Sequence, residues 1–587
     1  MIRGFRKRLV TGVAGLAALA AAALSPPAAA QDYAVEQGSI GGPGGSLVVA
    51  LRTEPKTLNP VLSVDATSRE VIGMLNADLV HINRGTQRTE PALAKSWKIF
   101  PDGKRYMLHL RRGIKFSDGA PFTAADVIFS FQLYLDEKLH SPQRDLLVLD
   151  GKPISAKQID NYTVEFDLPK PYGPAERIFD GLAIMPRHLL EMPYREGKLA
   201  QMWSTNTPAA QIAGLGPYRL KEYVPGQRIV LERNPYYWKT DARGNRLPYL
   251  SEFDFIFVPN EDAQVIRFQS GETHIIERVN SDNFAVLQRN AKPTGPCMRD
   301  LGPGLEFQFL FFNLNTLDAS KLPQLAEEQS WFRNLQFRQA VSLAMDRQGM
   351  ARLVYGGRAA PIWGNVTPGD KLWLNPNLPH PERSLEEARK LLESAGFSWD
   401  SSGQLLDARK RPVSFSILVS SSNAQRAKLA AIAQDDLKHL GMDVQVVPME
   451  FRALVDRLLN TKDYEAALMN LVNGDTDPTP EMNLWLSSGE THLWDLGETK
   501  PAAPWEAELD QLMQAQMVST SFAERKELYD HAQEIISRNV PLIFLLSPNI
   551  LVGAQATVGN FRPAILEPYA LWNADQLYLR PAGATCP

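Results

Sequence analysis

Cysteine is nearly absent from this chain of 587 residues: only Cys297 and Cys586 occur. In an oxidising compartment the two invite a single disulfide, and the alternative is a pair of unrelated buried thiols. Either way no obvious catalytic thiol remains. The nine histidines are widely separated, and none forms a metal-ligand pair at helical spacing such as His-Glu-x-x-His. No bound metal or cofactor is therefore expected. Gly-Lys-Ser/Thr phosphate loops and a Gly-x-Ser-x-Gly nucleophile elbow are missing too. Triads and paired carboxylates assemble from distant positions, so missing motifs only lean the chain away from catalysis and towards binding. There is no basic excess: 62 Lys and Arg stand against 66 Asp and Glu, a net charge of −4. That balance argues against nucleic acid as a partner. Beyond the first thirty residues no run is long and apolar enough to span a membrane.

What is present begins at the N-terminus. Arg3, Arg6, Lys7 and Arg8 precede an apolar stretch from Leu9 to Leu24, and Ala28-Ala29-Ala30 follows. The pattern predicts a cleavable signal peptide over residues 1–30, with a mature start near Gln31. The alternative, a membrane anchor, needs about 20 apolar residues, and this core is shorter and interrupted by Pro26-Pro27. Losing four cations and no acids takes the net charge from −4 to −8, which favours solubility. No cysteine lies in Ala28–Asp32, so no lipid anchor is expected and the exported protein should diffuse freely. Residues 31–45, with Gly41-Gly42-Pro43-Gly44-Gly45, read as a flexible leader.

Order is predicted to start with a strand at Ser46–Leu51. Two-residue alternation marks strands through Tyr106, Leu108 and Leu110 and through Tyr162, Val164, Phe166 and Leu168. Thr123 with Asp126 predicts a capped helix whose Val127, Phe131 and Leu135 share a face. Further strands are expected at Phe253–Val258, Val413–Val419, Asp443–Val447 and Pro541–Leu546. Helices are expected from Ser384 to Gly396, from Ala424 to Gly441, and over Phe451–Leu459 and Ala523–Arg538. The nearly continuous apolar run Leu305–Leu314 reads as a strand buried on both faces. The whole is an α/β pattern with parallel sheets expected, too long for one ordinary core.

Four segments then become specific. The first runs from Pro91-Ala92-Leu93-Ala94-Lys95-Ser96-Trp97 through Pro101-Asp102-Gly103 and Leu110–Gly119 to Thr123–Val127. The second is Gly214-Leu215-Gly216-Pro217-Tyr218, with Glu232-Arg233-Asn234-Pro235-Tyr236-Tyr237-Trp238. The third is Phe268–Glu272, and the fourth is Arg338–Arg347 with Tyr355-Gly356-Gly357. Together, and in this order, they resemble the oligopeptide- and dipeptide-binding family of extracytoplasmic solute-binding proteins that serve ABC importers (solute-binding family 5). Most of these residues have architectural roles as turns, caps and core.

The resemblance implies a two-lobed periplasmic binding protein fold of type II-like α/β architecture, whose lobes close on a ligand by hinge motion. It places lobe I at 46–83, 210–300 and 541–587, an inserted subdomain at 84–209, and lobe II at 305–540. Cys297 and Cys586 then share a lobe, which favours their pairing. The implied partners are a small solute, a peptide first, and the permease subunits of an importer, with the receptor itself a monomer. An oligosaccharide or other solute on the same scaffold is the alternative, and an exported hydrolase a more distant one.

For the ligand, the resemblance points to Asp475, in the turn Asn473-Gly474-Asp475-Thr476-Asp477-Pro478, as the carboxylate that meets a peptide α-ammonium. One residue separates the two acids where peptide-binding members have two, so the alternative is that both acids bond the turn backbone. Asn473 belongs to the same turn. Trp485 and Trp363 are candidates for stacking in the cleft, against the ordinary reading of Trp485 as core. Ser63-Val64-Asp65-Ala66 aligns with the loop whose backbone pairs with an extended peptide, a mode akin to strand addition.

Overall fold

In Ser46–Leu51 the side chains of Leu47, Val49 and Leu51 are buried and those between them half-buried, the two-residue period of a pleated strand. The computed structural model describes residues 31–498 and 500–586; the expected signal peptide lies outside the described residues. Ser46–Leu51 pairs in parallel with Glu252–Phe257 and with Ile275. The antiparallel strands Arg228–Arg233 and Tyr218–Val224 extend the sheet on the first side.

A second half-sheet is built around Glu306–Phe312, whose Phe307, Phe309, Leu310, Phe311 and Phe312 are all buried. Both of its neighbours, Ala466–Val472 and the long strand Ile543–Gln555, run antiparallel to it. Only Ser414–Ser420 pairs in parallel with its neighbours Asp443–Met449 and Ala466–Ala467. The expectation of parallel sheets is thus corrected to mixed sheets. Burial on both faces produces an apolar run whichever way the neighbours point.

The 13-residue strand Ile543–Gln555 belongs to both halves. Leu542–Leu546 pack in the core of the second half. Leu551 packs against the helices Glu261–Gln269 and Ser281–Arg289, and Ala554 joins the first core. Within this one strand, Leu546 thus packs with the second half and Leu551 with the first. Beside it, Pro296–Pro303 pairs with Asn549–Gln555 and hands the chain on to Glu306–Phe312. Two adjacent strands thus carry the chain between the lobes. At this seam Gly304 donates its N–H to the Pro548 carbonyl at 2.9 Å.

The region expected as an insert forms a four-stranded antiparallel sheet, Ala94–Ile99, Arg105–Leu110, Thr163–Asp167 and Ser155–Asp160. Its Phe131, Phe166 and Phe179 pack in one apolar cluster with Leu47 and Phe253 of the first half-sheet. The helix Ala124–Leu135 opens as its sequence predicts, the Asp126 carboxylate accepting the Thr123 backbone N–H at 2.9 Å. Gly214 and Gly216 are needed for close approach: a Cβ on either would lie within 2.5 Å of the backbone at Leu75.

The leader is also corrected. Ala34–Glu36 forms a strand parallel to Lys239–Asp241, and the Glu36 carboxylate meets Lys239 Nζ at 2.6 Å. A Cβ on Gly41 would strike the Tyr578 ring, so the glycine run lets the chain lie flat on the C-terminal segment. Cys297 and Cys586 are disulfide-bonded with their Cα atoms 5.5 Å apart, which removes the alternative of two separate thiols.

Candidate functional site between the lobes

The apolar cores of the two lobes have no residue in common. Where the lobes meet, one small apolar cluster of Ile82, Leu305 and Leu566 is accompanied by polar contacts. Gln87 Nε2 donates to the Gly369 carbonyl at 2.8 Å and its Oε1 accepts from the Lys371 N–H at 3.0 Å. Gly173 N–H donates to the Met517 carbonyl at 2.7 Å. Such an interface opens without exposing a hydrophobic core.

Parallel strands deliver their carboxyl ends to this junction, the usual place for a ligand in an α/β sheet. Ile275–Ile276 is followed at once by Glu277 and by Arg278, the latter in left-handed backbone at φ +53°. Ala466–Val472 leads into the turn of Asn473 and Asp475. Ser414–Ser420 leads into the helix Ala424–Lys438, which carries Arg426 near its start. Glu306 faces Val472 across the antiparallel register, and Glu70 comes from the helix Ala66–Leu75.

Charges of both signs converge here. Burial, and then the neighbouring Glu277, push Glu70 up to about 8. Glu277 is itself raised by burial, against the pull of the Ala570 N–H and Arg278. Burial raises Glu306, while Asn470 Nδ2 at 2.9 Å, Arg426 and Arg278 work the other way. Arg278 acts on Glu306 from the opposite lobe. Tyr569 of lobe I and Tyr355 of lobe II both feel Glu306. Gln308 Oε1 and Arg426 Nε are buried with no hydrogen-bond partner in the protein.

The residues singled out from the sequence do not all meet at this place. Asp475 does reach the lobe junction, but its carboxylate is occupied: Arg177 of the short helix Ala175–Ile178 binds both oxygens, with Nε at 2.6 Å, and adds a bond to Thr476 Oγ1 at 3.1 Å. A guanidinium from the other lobe takes the place expected for a ligand ammonium. Asp477 is a buried structural acid, paired twice with Arg525 at 2.8 Å. Asn473 donates its side-chain amide to Glu481.

Trp485 is wholly buried, its indole donating to Glu481 at 2.6 Å and its ring against Trp494; the cleft role expected for it gives way to the core reading. Trp363 lies stacked 4.7 Å from His380. It lines a cavity of about 540 Å³ with Gln339, Leu343, Arg347 and Phe544, all of lobe II, and so sits away from the junction. In the loop 63–66, Ser63 is buried, Asp65 caps the following helix by accepting the Ser68 N–H at 2.8 Å, and Ala66 is its first residue. Val64 projects with 61 % of its surface exposed, so the loop offers backbone and one apolar side chain.

Sequence reasoning missed Glu70, Arg177, Glu277, Arg278, Glu306 and Arg426. One signal was readable: Glu306 and Gln308 are polar residues inside an otherwise apolar strand.

Comparison with known proteins agrees with this architecture. Residues 88–492, well over half of the chain, match the model of the bacterial extracellular solute-binding proteins, family 5 (middle). The chain is 28 % identical over 502 residues to the periplasmic alpha-galactoside-binding protein of Rhizobium meliloti, covering 80 % of this chain and 70 % of that one. It is 27 % identical over 489 residues to the periplasmic oligopeptide-binding protein OppA of Escherichia coli, covering 78 % and 80 %. Among solved structures it is similar to NikA from Brucella suis in complex with Fe(III)-EDTA, with a TM-score of 0.74, 21 % identity, and coverage of 91 % and 100 %. The fold and junction define a two-lobed solute-binding protein of an ABC importer. The chain belongs to solute-binding family 5, a family of binding proteins.

Proposed function

We propose that this chain captures a peptide-like, zwitterionic solute between its lobes in the periplasm and presents the closed form to an importer permease. The observation that carries the reading is the junction itself, where Glu70, Glu277 and Glu306 converge with Arg278 and Arg426. Acids and bases at one junction complement a ligand bearing both an ammonium and a carboxylate, and reject one that bears neither. An extended backbone also has somewhere to pair. Ala466–Val472 pairs with Ser414–Ser420 only at its first two residues, which leaves its carboxyl end free on that edge for strand addition.

An oligosaccharide is the second reading, favoured by the galactoside-binding relative. It is weakened by the burial of Trp485 and the remote position of Trp363. Export rests on the signal-like residues 1–30 and agrees with the periplasmic names of both relatives. In the described residues no helix is long and apolar enough to cross a membrane.

Native mass spectrometry of the protein purified from periplasm tests the reading. A co-purifying peptide, displaced by added oligopeptides in calorimetry, is expected. A stoichiometric oligosaccharide, or single-carboxylate-dependent cleavage of either ligand class, would overturn it.

A further inference from the structure

Between the short helix Met482–Trp485 and the helix Pro504–Val518, a loop of lobe II folds one histidine and three carboxylates together. His492 is 0 % exposed. Its Nδ1 lies 3.1 Å from the Leu484 carbonyl, a contact that requires a proton on Nδ1 and turns Nε2 the other way. That Nε2 has no hydrogen-bond partner. It faces Glu506 Oε1 at 3.8 Å, too far for a hydrogen bond, so the nitrogen and the carboxylate confront each other across a gap in a buried space.

Glu498 Oε2 is likewise buried without a partner. The ligand atoms of His492, Glu498 and Glu506 all lie within 4.8 Å of one another, and Asp495 adds a third acid beside Glu498. Among the described residues Arg333 and Arg338 act on Asp495 and Glu506 only at longer range.

The rest of the shell is already oriented. Glu506 Oε1 accepts from Trp494 Nε1 at 3.2 Å and Oε2 from the Ala503 N–H at 2.9 Å, which aims the carboxylate at the imidazole. A histidine that donates one ring N–H to a carbonyl and offers the other nitrogen is the usual metal-ligating arrangement. Zinc bonds to nitrogen and carboxylate oxygen of about 2.0–2.2 Å place tetrahedral neighbours roughly 3.5 Å apart, close to the separation of His492 and Glu506. A second cluster, Asp78, His81 and Asp180, makes no such demand, because Arg84 lies 3.3 Å from Asp180 and His81 lies 3.2 Å from Asp78.

We propose that His492, Glu498 and Glu506, with Asp495 beside them, form a buried divalent-metal site of zinc-binding chemistry that pins the 486–503 loop to the helix Pro504–Val518. The test uses the full chain, stripped with EDTA and dialysed, with Zn²⁺ alone as probe. Elemental analysis should return one zinc per chain on reloading, with a higher melting temperature than the stripped protein. His492→Ala and Glu498→Gln should each lose stoichiometric zinc uptake and the accompanying rise in melting temperature. Should His492→Ala fail to fold, the near-isosteric Glu498→Gln carries the test. Stripped wild-type protein that takes up no zinc from an excess, or a Glu498→Gln protein that still binds one equivalent, overturns the proposal.

Discussion

Arg177 and Asp475, 298 residues apart in sequence, join the two lobes through both oxygens of one carboxylate. Both side chains are largely buried, so the pair is stronger than a surface salt bridge. A contact of this kind predicts a latch on the closed form in place of a ligand contact. Arg177→Met and Asp475→Asn should each weaken ligand binding, and the double variant should be no worse than either. Calorimetry on all four proteins should give a coupling energy of about 0.5–3 kcal/mol. A loss confined to Asp475→Asn, with Arg177→Met unaffected, would assign the carboxylate to a ligand ammonium instead.

Two residues further on, the chemistry is different. Asp477 is buried, which opposes its charge, yet the two-pronged bond from Arg525 wins and holds it below the usual carboxylate range. Removing one partner leaves an uncompensated charge in lobe II. Arg525→Met should therefore destabilise that lobe by about 3–5 kcal/mol, read as a lower urea midpoint. Because the depressed carboxylate must be protonated before the pair is lost, the contribution should persist at neutral pH and fade only in acid, as pH drops below the ordinary value of 3.8.

Local signals in the chain were the ones that could be read. Ser46–Leu51 follows from alternation, and the helix Leu385–Ser394 starts where Ser384 accepts the Glu387 N–H; both depend on neighbours a few residues away. Strand direction around Glu306–Phe312 did not follow, because a doubly buried strand is apolar in either pairing. Order in residues 31–45 was hidden because Glu36 is held by Lys239 and Gly41 by Tyr578, contacts far away in sequence. Trp485 and Trp363 carry no mark that separates cleft from core. Arg177 has no local signal at all, since only the folded lobes bring it to Asp475.

Burial of Glu70 should make lobe closure pH-dependent. In the closed form its carboxyl is pushed up to about 8 by burial and by Glu277, from an ordinary value of 4.5. Glu277 lies on the same lobe, so opening relieves only the burial, and between those values the closed state holds a proton that an open Glu70 releases in part. Closure of the ligand-free protein should then take up as much as about one proton. It should be most favourable below 4.5 and become less so as pH climbs to about 8. Small-angle scattering across this range should show a smaller radius at the acid end. Glu70→Gln, which is neutral throughout, should flatten the trend; an unchanged trend in that variant would place the titrating group elsewhere.

The disulfide makes a more modest contribution than its span implies. Cys297 and Cys586 are 289 residues apart, and the loop-entropy relation would allow about 6 kcal/mol for a closed loop of such length. That figure counts only the constraint on the unfolded chain. Cys297 is buried on the strand Pro296–Pro303, whereas Cys586 is an exposed residue in the final tail, where its backbone N–H reaches the Pro293 carbonyl at 3.3 Å. Once the bond is cut the folded protein also gains freedom, because residues beyond Leu579 can fray without disturbing either core. The net loss should therefore lie well below the loop-entropy figure, at about 1–3 kcal/mol. Calorimetry of Cys586→Ser against the oxidised wild type should show a lowered melting temperature with ligand affinity unchanged. A loss of the full figure, about 6 kcal/mol, would mean that the tail supports lobe I far more than its exposure indicates.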